Sequence, residues 1–505
     1  MSASRTRRPQ KTPARPRESA FSDSREAQEI ERLKRENDRL REELAKRDRQ
    51  IADLERQLAL RQQNSTTSSK PPSSDGLAGR QRERGRRKKS RRRPGGQVGH
   101  PGHCRALVPP ERVNGFVDVF PDACRHCHHT LAAPGRHITG EPRRHQVTEL
   151  PVIEAHITEY HCPLVVCPAC GKTTQARLPD EVAGQFGPQL TALIAYLTVV
   201  CRLPRLVVQR LLEGALQIPI SLGSTQKAWE EASAAVAAPY QELQHALPHQ
   251  PVLNGDETGH RTNGQKRWLW TLVAPAFIFY TIATSRGSDV LRRLLGATFD
   301  GILGSDRLPT YLTYAAGLRQ FCWSHFTRNL LSAQELAKTA SAKRFCREAL
   351  ALQKRLFRLW HRFRGDPKAR GGPITRQQLI AKTLPIEKAF AALGDRYLNA
   401  ADNDVRNLAW ALFVHNQHFF TFIHEDRVEP TNNAAERALR AAVQWRKISF
   451  GSRSDDGERA VARLLTVTRT CQLQQLNILV YLTAAIRCHR RRQAVASLLP
   501  GRLTT

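Results

Sequence analysis

The sequence contains no apolar run long enough to cross a membrane, and its first residues lack an apolar signal. The longest apolar stretch, residues 190–201, is too short to span a bilayer and is followed by Arg202. Residues 1–17 are basic and contain proline with no apolar run behind them, which argues against a secretory signal. These absences predict a cytoplasmic protein with no membrane partner.

Acidic residues are scarce relative to basic ones. The chain has 79 Lys and Arg against 46 Asp and Glu, which leaves a net charge of +33. A charge of this size attracts a polyanion and opposes self-association. We therefore expect nucleic acid as the main partner. The length of 505 residues allows three or four modules, because single domains usually span about 100 to 200 residues.

Cysteines are also sparse, and four of them form two closely spaced pairs. Eleven cysteines among 505 residues are too few for a disulfide scaffold, whereas CxxC units in a reducing compartment are typical of metal sites. The pairs are Cys124-x-x-Cys127 and Cys167-x-x-Cys170, and four thiolates suit tetrahedral Zn²⁺. Residues 104–180 are thus predicted to form a zinc-binding module, with reduced surface thiols as the alternative. Competing ligands within the module are His126, His128, His129 and Cys162.

The amino-terminal region has the composition of a tail followed by a coiled coil. Residues 1–23 are rich in Arg, Pro and Ser, which predicts a disordered basic tail. Residues 24–64 carry a heptad pattern whose polar interruption, Asn37, favours a parallel two-stranded coil and hence a homodimer or higher oligomer. A single amphipathic helix packed on its own protein is the alternative. The seam consists of Ile30, Leu33, Asn37, Leu40, Leu44, Arg47, Ile51, Leu54 and Leu58.

The composition of residues 65–103 predicts a linker followed by a basic arm. The linker is rich in Ser, Thr, Pro and Gly, which favour turns and extended backbone. Residues 80–93 then carry ten basic side chains against the single acid Glu83, a composition that grips phosphates without reading bases. A merely solvated tail is the alternative. The candidate DNA-binding residues are Arg86, Arg87, Lys88, Lys89, Arg91, Arg92 and Arg93.

Residues 181–248 show a helical pattern with a break at Pro204. A further helix is predicted to begin near Ser224, which can act as its cap, and to present Gln226 and Lys227 on its first turns. Short helices joined by a tight turn can form a helix-turn-helix whose last helix enters the major groove of DNA. A plain helical spacer is the alternative.

Two aspartates follow short apolar runs that predict β-strands. Residues 251–256 end in Asp256 and residues 301–306 end in Asp306, so each acid is expected at the carboxyl end of a strand. Two further β-rich runs between them suggest an antiparallel meander. A single acidic residue is usually no more than a solvated side chain. These two are distinguished by their order along the chain, each at the end of a predicted strand.

A third acid, Glu436, lies in a predicted helix over residues 432–446 that Thr431 can cap. Helical spacing places Asn433, Glu436 and Arg440 on one face. Three carboxylates gathered by two strands and a helix suit two divalent ions that activate a hydroxyl and stabilise the leaving oxygen of a phosphodiester. Magnesium prefers such oxygen ligands, so no histidine is required.

Several long segments resemble the transposases of the insertion sequence 66 family. They are GDETGHRTNGQKRWLWTLV from Gly255, SDRLPTYLTYAAGLRQFCWSHFTRNL from Ser305 and PTNNAAERALRAAVQWRKISFGS from Pro430. Further landmarks are SSKPPSSDG from Ser68, GGQVGHPGH from Gly95, the CxxC pairs and TCQLQQLNILVYL from Thr470. The resemblance covers most of the chain beyond Arg25, and ordered motifs of this length are specific.

The resemblance implies a bacterial, nucleoid-associated multidomain α/β protein with an RNase H-like catalytic domain. Residues 249–331 and 427–505, including C-terminal helices, would form this domain, and residues 332–426 would be a helical insertion within it. The coiled coil, the zinc-binding module and the helix-turn-helix would precede it.

The resemblance also assigns roles to individual residues. It implies that Asp256, Asp306 and Glu436 are the catalytic acids that bind Mg²⁺ or Mn²⁺, and we add Arg437 and Arg440 as candidate DNA contacts. Trp323 and His325 would lie beside the active site, although a packed core histidine is an equally good interpretation of the latter. Many family members have Asp-Gly-Tyr at the second acid, where this chain has DRLP.

The function expected from this resemblance is a DNA transposase that cleaves the ends of its own insertion sequence and joins them to target DNA. A non-catalytic DNA-binding protein derived from a transposase is one alternative. A metal-dependent nuclease without strand transfer is another, because the same carboxylates permit hydrolysis. Partners would be element and target DNA, a second copy of the chain and accessory proteins of the same element.

Overall fold

A computed structural model describes residues 19–62, 95, 99–101, 105–131, 137–182 and 184–501. Within the first helix it describes the side chains of residues 27–59 only. The basic block of residues 80–93, the linker before it and residues 1–18 of the predicted tail lie outside the described residues.

The described secondary structure is mixed α/β, as the sequence predicts. The helices are α1 (Ser19–Gln62), α2 (Pro188–Val199), α3 (Arg205–Leu216), α4 (Leu222–Ala235), α5 (Ala237–Ala246), α6 (Ser288–Leu295), α7 (Pro309–Thr313), α8 (Trp323–Leu336), α9 (Ala340–Phe363), α10 (Arg376–Arg396), α11 (Asn403–Val414), α12 (Thr421–His424), α13 (Asn433–Ser449), α14 (Asp455–Leu473) and α15 (Ile478–Arg490). The strands are β1 (Leu164–Val166), β2 (Thr173–Gln175), β3 (Val252–Thr262), β4 (Gln265–Val273), β5 (Ile278–Ala283), β6 (Thr298–Ser305) and β7 (Ala315–Phe321). Among the described helices none has both the length and the hydropathy to traverse a bilayer.

The described residues divide into two compact units, whose ranges along the chain are as follows. Met1–Arg80 and Leu318–Asn432 form one of them, here called the helical unit. Gln81–Gly317 and Asn433–Thr505 form the other, here called the sheet unit. The boundary falls inside β7, and the predicted helical insertion of residues 332–426 lies within the second segment of the helical unit.

The larger described sheet is mixed, with the strand order β5-β4-β3-β6-β7. β3 pairs antiparallel with β4, which pairs antiparallel with β5, so the predicted meander is confirmed. β3 also pairs parallel with β6. The first strand of the meander is therefore the central strand of the sheet.

The edge strand β5 is covered by α14 through two threonines one helical turn apart. The backbone N–H of Ile278 donates to Thr470 Oγ1 at 3.1 Å, and that of Tyr280 donates to Thr466 Oγ1 at 2.9 Å. Because an uncovered strand edge exposes a row of unpaired backbone groups, these bonds close an edge that is otherwise open to other strands. The covered edge fixes α14 against the sheet.

Helices α2 to α5 precede the sheet, with a break at Pro204 where the sequence predicts one. The cap of α4 differs from the prediction. Its N-cap residue is Ser221, whose side chain accepts a hydrogen bond from the backbone N–H of Ser224, so Ser224 already lies inside the helix. Ser and Thr are both good caps, and the sequence offers two serines three residues apart.

The helical unit packs its helices around Trp323. This side chain is fully buried, its Nε1–H donates to the carbonyl oxygen of Phe419 at 2.7 Å, and its ring contacts Phe326, Phe390 and Phe420. α1 belongs to the same unit and forms an exposed ion pair, Arg56 to Asp404, at 2.7 Å. Exposed pairs of this kind stabilise a fold by about 1 kcal/mol or less.

Candidate catalytic site

The first acid, Asp256, lies on the central strand of the sheet. The prediction that it ends its strand is wrong, because β3 continues to Thr262 and pairs Asp256 with Thr271 of β4. The preceding residue must be small, since a Cβ at Gly255 would lie 3.2 Å from Cε1 of Tyr311. Asp256 is half-buried, and its Oδ1 accepts a hydrogen bond from the backbone N–H of Glu257 at 2.9 Å.

The second acid, Asp306, directly follows β6, as the sequence predicts. The parallel register pairs Asn254 of β3 with Gly304 of β6, so the two aspartates stand at equivalent positions on neighbouring strands. Asp306 Oδ1 accepts a hydrogen bond from the backbone N–H of Leu308 at 3.0 Å, which fixes the turn after the strand. The fold thus brings the two aspartates side by side.

The third acid, Glu436, lies in the first turn of α13 and is half-buried. The helix begins at Asn433, so Asn432 rather than the predicted Thr431 precedes it. The hydroxyl of Tyr280 on β5 donates to the carbonyl oxygen of Ala438 at 2.7 Å, which holds α13 against the sheet. The small buried residues of α13 allow that approach; they are Ala435, Ala438, Ala441 and Ala442.

The negative charges of the neighbouring acids act on Asp256. Burial, together with the negative charges of Glu257, Asp306 and Glu436, raises the pKa of Asp256 to about 8. Burial also raises the pKa of Asp306, although the backbone N–H of Leu308 opposes this effect. Like charges held together in a partly dry site disfavour ionisation, and a bound cation reverses that preference.

A supporting layer, which the sequence does not reveal, lies behind the acids. The guanidinium of Arg286 donates to Glu257 Oε1 from Nε at 3.0 Å and from Nη2 at 2.7 Å. The hydroxyl of the buried Tyr311 donates to Glu257 Oε2 at 2.7 Å. Arg286 also stacks on Trp268, with its Cζ 4.5 Å from the ring centroid. Glu257 is thereby locked beside Asp256, and only its adjacency to that acid marks it in the sequence.

The donor set fits divalent cations. Its members are oxygen ligands, which Mg²⁺ and Mn²⁺ prefer, and their mutual repulsion calls for positive charge. Within the described residues the three carboxylates are not gathered within 4.8 Å of one another. That spacing exceeds the shell of a single Mg²⁺, with oxygen ligands at about 2.1 Å, but two ions about 3.5–4 Å apart can use such a set.

The first cysteine pair forms a tight turn. The backbone N–H of Cys124 donates to His129 O at 2.9 Å, and that of His128 donates to Cys124 O at 3.0 Å. The sulfur of Cys124 accepts from the backbone N–H of His126 at 3.4 Å, and this bond lowers the pKa of the thiol. A thiolate held in this way is the form that binds metal.

The second pair repeats the first turn between β1 and β2. The backbone N–H of Cys167 donates to Lys172 O at 2.8 Å, and that of Gly171 donates to Cys167 O at 2.9 Å. The backbone N–H of Ala169 lowers the pKa of the Cys167 thiol. In the described part of this module no three of the four paired thiol sulfurs come within 4.8 Å of one another.

The predicted DNA contacts differ in their surroundings. Lys227 is exposed on α4, and Arg437 and Arg440 are exposed on α13. Gln226 is half-buried and its Nε2 donates to Glu230 Oε1 at 2.7 Å. The basic block lies outside the described residues. His325 lies on α8 of the helical unit, where its neighbour Trp323 is the packing centre described above.

This strongly basic chain is therefore an α/β protein whose mixed sheet and adjacent helix α13 carry a group of acidic residues. Residues 183–460, more than half of the chain, match the family described as Transposase IS66 family. The protein belongs to this family of transposases. Residues 14–106 match a second family, described as a family of unknown function, DUF6444.

Two curated relatives come from Sinorhizobium fredii (strain NBRC 101917 / NGR234). The chain is 23% identical over 243 residues to uncharacterized protein y4qI, which covers 44% of this chain and 43% of the relative. It is 24% identical over 260 residues to uncharacterized protein y4hP, which covers 45% of each chain. The chain thus spans less than half the length of the curated relatives it matches.

Proposed function

We propose that this protein is a DNA transposase of the Asp-Asp-Glu type. It would bind the ends of its insertion sequence, cleave DNA strands and join them to a target. Asp256, Asp306 and Glu436 would be its catalytic acids, within an RNase H-like domain. The observation that carries the proposal is the parallel pairing of β3 with β6, which supports placing Asp256 beside Asp306 in a chain of the IS66 transposase family.

Each acid would contribute through its position in the sheet unit. Asp256 and Asp306 present oxygens from neighbouring parallel strands, and Glu436 presents a third carboxylate from α13. Mg²⁺ or Mn²⁺ held there would activate the attacking water or 3′ hydroxyl and stabilise the leaving oxygen. The Glu257 layer would keep Asp256 in place, because Glu257 is itself held from both carboxylate oxygens.

DNA binding by this protein would combine contacts from several regions of the chain. The basic block from Arg86 to Arg93 in the sequence would bind phosphates without reading bases. Arg437 and Arg440 are exposed on the helix that carries Glu436, so they would position a phosphate near the acids. Gln226 and Lys227 would contact DNA from α4 if the helices before the sheet act as a helix-turn-helix.

The cysteine pairs would hold one structural Zn²⁺. Each pair already forms the turn that presents two sulfurs, and the two thiols with lowered pKa favour the thiolate. Binding would join the two turns, since structural zinc sites are usually closed by four ligands. Cys124, Cys127, Cys167 and Cys170 are the proposed set.

The helix α1 would dimerise the protein. Its predicted seam is exposed in the single chain, with Ile30 54%, Leu40 53% and Leu44 60% accessible. A second copy would cover these side chains in a parallel coil. Sedimentation of the full chain should show an assembly that the double substitution Leu40→Lys and Leu44→Lys dissociates, and a monomeric unsubstituted chain would contradict the proposal.

The experiment that tests the proposed function examines reaction products. The purified protein is incubated with Mg²⁺, target plasmid and the DNA that flanks this gene, and joined and hydrolysed products are sequenced. Strand transfer is expected, and it should disappear with Asp306→Asn but persist with Asp300→Asn, an exposed acid on the same strand. Hydrolysis without joining would favour a nuclease, and the absence of both would favour a non-catalytic DNA-binding protein.

A further inference from the structure

A cavity of about 540 Å³ in the sheet unit lies away from the three acids. It lies among the ends of α2 and α13, the starts of α3 and α14, and α4. Its volume falls in the range of about 300–1,000 Å³ that is usual for small-ligand sites. The residues used below are Arg202, Arg205, Trp229, Trp445, Ser452 and Arg453.

The charge of the cavity has one sign. Arg202, Arg205 and Arg453 line it, and no acidic side chain is among its described lining residues. The Nε of Arg205 is buried and has no hydrogen-bond partner among the described residues. A buried donor without a partner destabilises a fold by about 1–3 kcal/mol, and an anion would supply the missing acceptor.

Two of the arginines also repel each other. Burial lowers the pKa of Arg205, and the positive charge of Arg453 lowers it further, although Glu230 opposes this effect. An anion between the two guanidinium groups would relieve the repulsion. Arginine is well suited to phosphate, because its planar donors match the phosphate oxygens.

Aromatic and aliphatic side chains form another part of the cavity wall. The rings of Trp229 and Trp445 are nearly parallel, at 7°, with centroids 6.4 Å apart. Arg205 lies over the Trp229 ring at 5.6 Å, and Ile448 adds an aliphatic surface. Arginines beside aromatic rings are how proteins bind unpaired nucleotides, whose phosphate is anionic and whose base is flat and apolar on its faces.

Two residues that line the cavity, Gly451 and Ser452, contact β3, the strand that carries Asp256. Gly451 has φ +106°, and a Cβ there would clash with Arg261 O of β3 at 2.3 Å. The backbone N–H of Ser452 donates to Arg261 O at 2.9 Å, and Ser452 Oγ lies 3.2 Å from Nε2 of His260. Through β3 and α13 the cavity is therefore fixed relative to Asp256 and Glu436.

The helix that begins at the cavity is not the source of anion attraction. The first turn of α14 contains Asp455, Asp456 and Glu458, which oppose an anion at its amino end. Asp456 is paired with Arg459, and Glu458 with Arg267 at 3.3 Å. The arginines of the cavity, rather than the helix dipole, must hold a phosphate.

We infer that this cavity binds one unpaired nucleotide of a DNA strand, with its phosphate on Arg205 and Arg453 and its base against the Trp229–Trp445 wall. The inference rests on the proposed function, because it assumes that DNA is the substrate. Trp445 lies nine positions after Glu436 in α13, about 14 Å along the helix axis. The bound nucleotide would therefore lie a few nucleotides along the strand from the phosphodiester that reacts at the acids.

The test compares single-stranded and paired DNA without divalent metal, so that catalysis plays no part. Binding of the full-length protein to labelled oligo(dT) and to a fully paired hairpin is measured by fluorescence anisotropy. The variants are Arg205→Gln and Arg453→Gln; the second residue is exposed, so its substitution leaves the packing intact. The control is Arg293→Gln, an exposed arginine of the same unit that does not line the cavity.

Each cavity variant should bind oligo(dT) about tenfold more weakly than the control does, while hairpin affinity stays within about twofold of the control. Equal losses on both DNAs, or losses no larger than those of Arg293→Gln, would overturn the inference. The basic block is present in every variant, so it cannot produce the difference.

A second arm separates this inference from the proposed function. If the unsubstituted protein binds neither DNA, the proposed function fails, and calorimetry with thymidine monophosphate then decides about the cavity. Binding that Arg453→Gln weakens about tenfold would support a nucleotide site independent of DNA. No binding of the mononucleotide in that case would overturn it.

Discussion

The two candidate metal sites of the sheet unit are built in opposite ways. Asp256, Asp306 and Glu436 are far apart in the chain, and the sheet brings them into one electrostatic environment. Each cysteine pair is formed by one local turn, and the two pairs are not gathered in the described module. The acids thus depend on the core, and the cysteines depend on a ligand to join them.

This difference predicts which of the two proposed sites would be formed before a metal binds. The acids are held against their own repulsion by hydrogen bonds and packing that involve Tyr280, Tyr311 and Arg286. Around the cysteines there is little apolar burial, and side chains such as Phe116 and Val117 are 72% and 86% exposed. Metal binding to a preformed site requires no further folding, whereas zinc binding to the cysteines would be coupled to folding of the module.

The largest expected effect is on catalysis at the preformed site. Asp256→Asn and Glu436→Gln should each reduce strand cleavage about a thousandfold, because metal-assisted charge stabilisation is worth several kcal/mol. DNA affinity should be retained or slightly increased, since a repulsive charge is removed. Cleavage rates and binding isotherms check both points, with Asp300→Asn as the control. Near-normal cleavage by either variant would mean that the substituted residue is not one of the catalytic acids.

The next effect concerns the site that needs its ligand. Cys124→Ser or Cys170→Ser should release bound zinc and unfold residues 104–180, while the thermal transition of the sheet persists. Zinc content by atomic absorption and protease sensitivity of the module measure this. Cys201→Ser is the control, because Cys201 is an exposed thiol outside the pairs. A module that stays folded and metal-free in chelator would refute the zinc assignment.

A smaller effect is expected at the layer behind the acids. Glu257→Gln keeps the size of the side chain but weakens the hold of Arg286 and Tyr311, so cleavage should fall about 10–100-fold. A positioning role predicts that the Mn²⁺ concentration for half-maximal cleavage rises as well. If the rate falls with an unchanged Mn²⁺ requirement and a lower Tm, Glu257 is a stability residue only.

The smallest effect is a pH dependence of stability. Burial, aided by the charge of Arg446, lowers the pKa of His260 from 6.5 to about 4. The unfolded chain therefore binds a proton at a higher pH than the folded one, and stability is lost as pH falls from about 6.5 towards 4. The free energy of unfolding of His260→Gln should fall less steeply over this window; parallel slopes for the two proteins would contradict the assignment.

The sequence predicts the elements around the acids better than the arrangement of their neighbours. Short apolar runs indicate the strands leading to Asp256 and Asp306, and helical spacing indicates the helix of Glu436. The continuation of β3 beyond Asp256 is missed, because Glu257 looks like a residue that ends a buried strand. Its charge is tolerated there because Arg286 and Tyr311, both distant in the chain, bond to its carboxylate.

The cavity beside Trp445 is still harder to predict. Arg202 comes from the α2–α3 turn, Arg205 from the start of α3 and Arg453 from the loop after α13, and no spacing in the sequence connects them. Gln226 is named from the sequence as a DNA contact on the basis of its place in α4, and it does line the cavity. Local patterns therefore identify elements, whereas sites that combine distant elements require the fold.

The most direct test of the central claim is to locate divalent ions at the acids. Crystals of the protein soaked in Mn²⁺ would be measured near the manganese absorption edge. Metal binding at this site predicts anomalous density ligated by oxygens of Asp256, Asp306 and Glu436, and its loss in Asp306→Asn but not in Asp300→Asn. Manganese bound elsewhere with none at these carboxylates, or equal density in both variants, would contradict it.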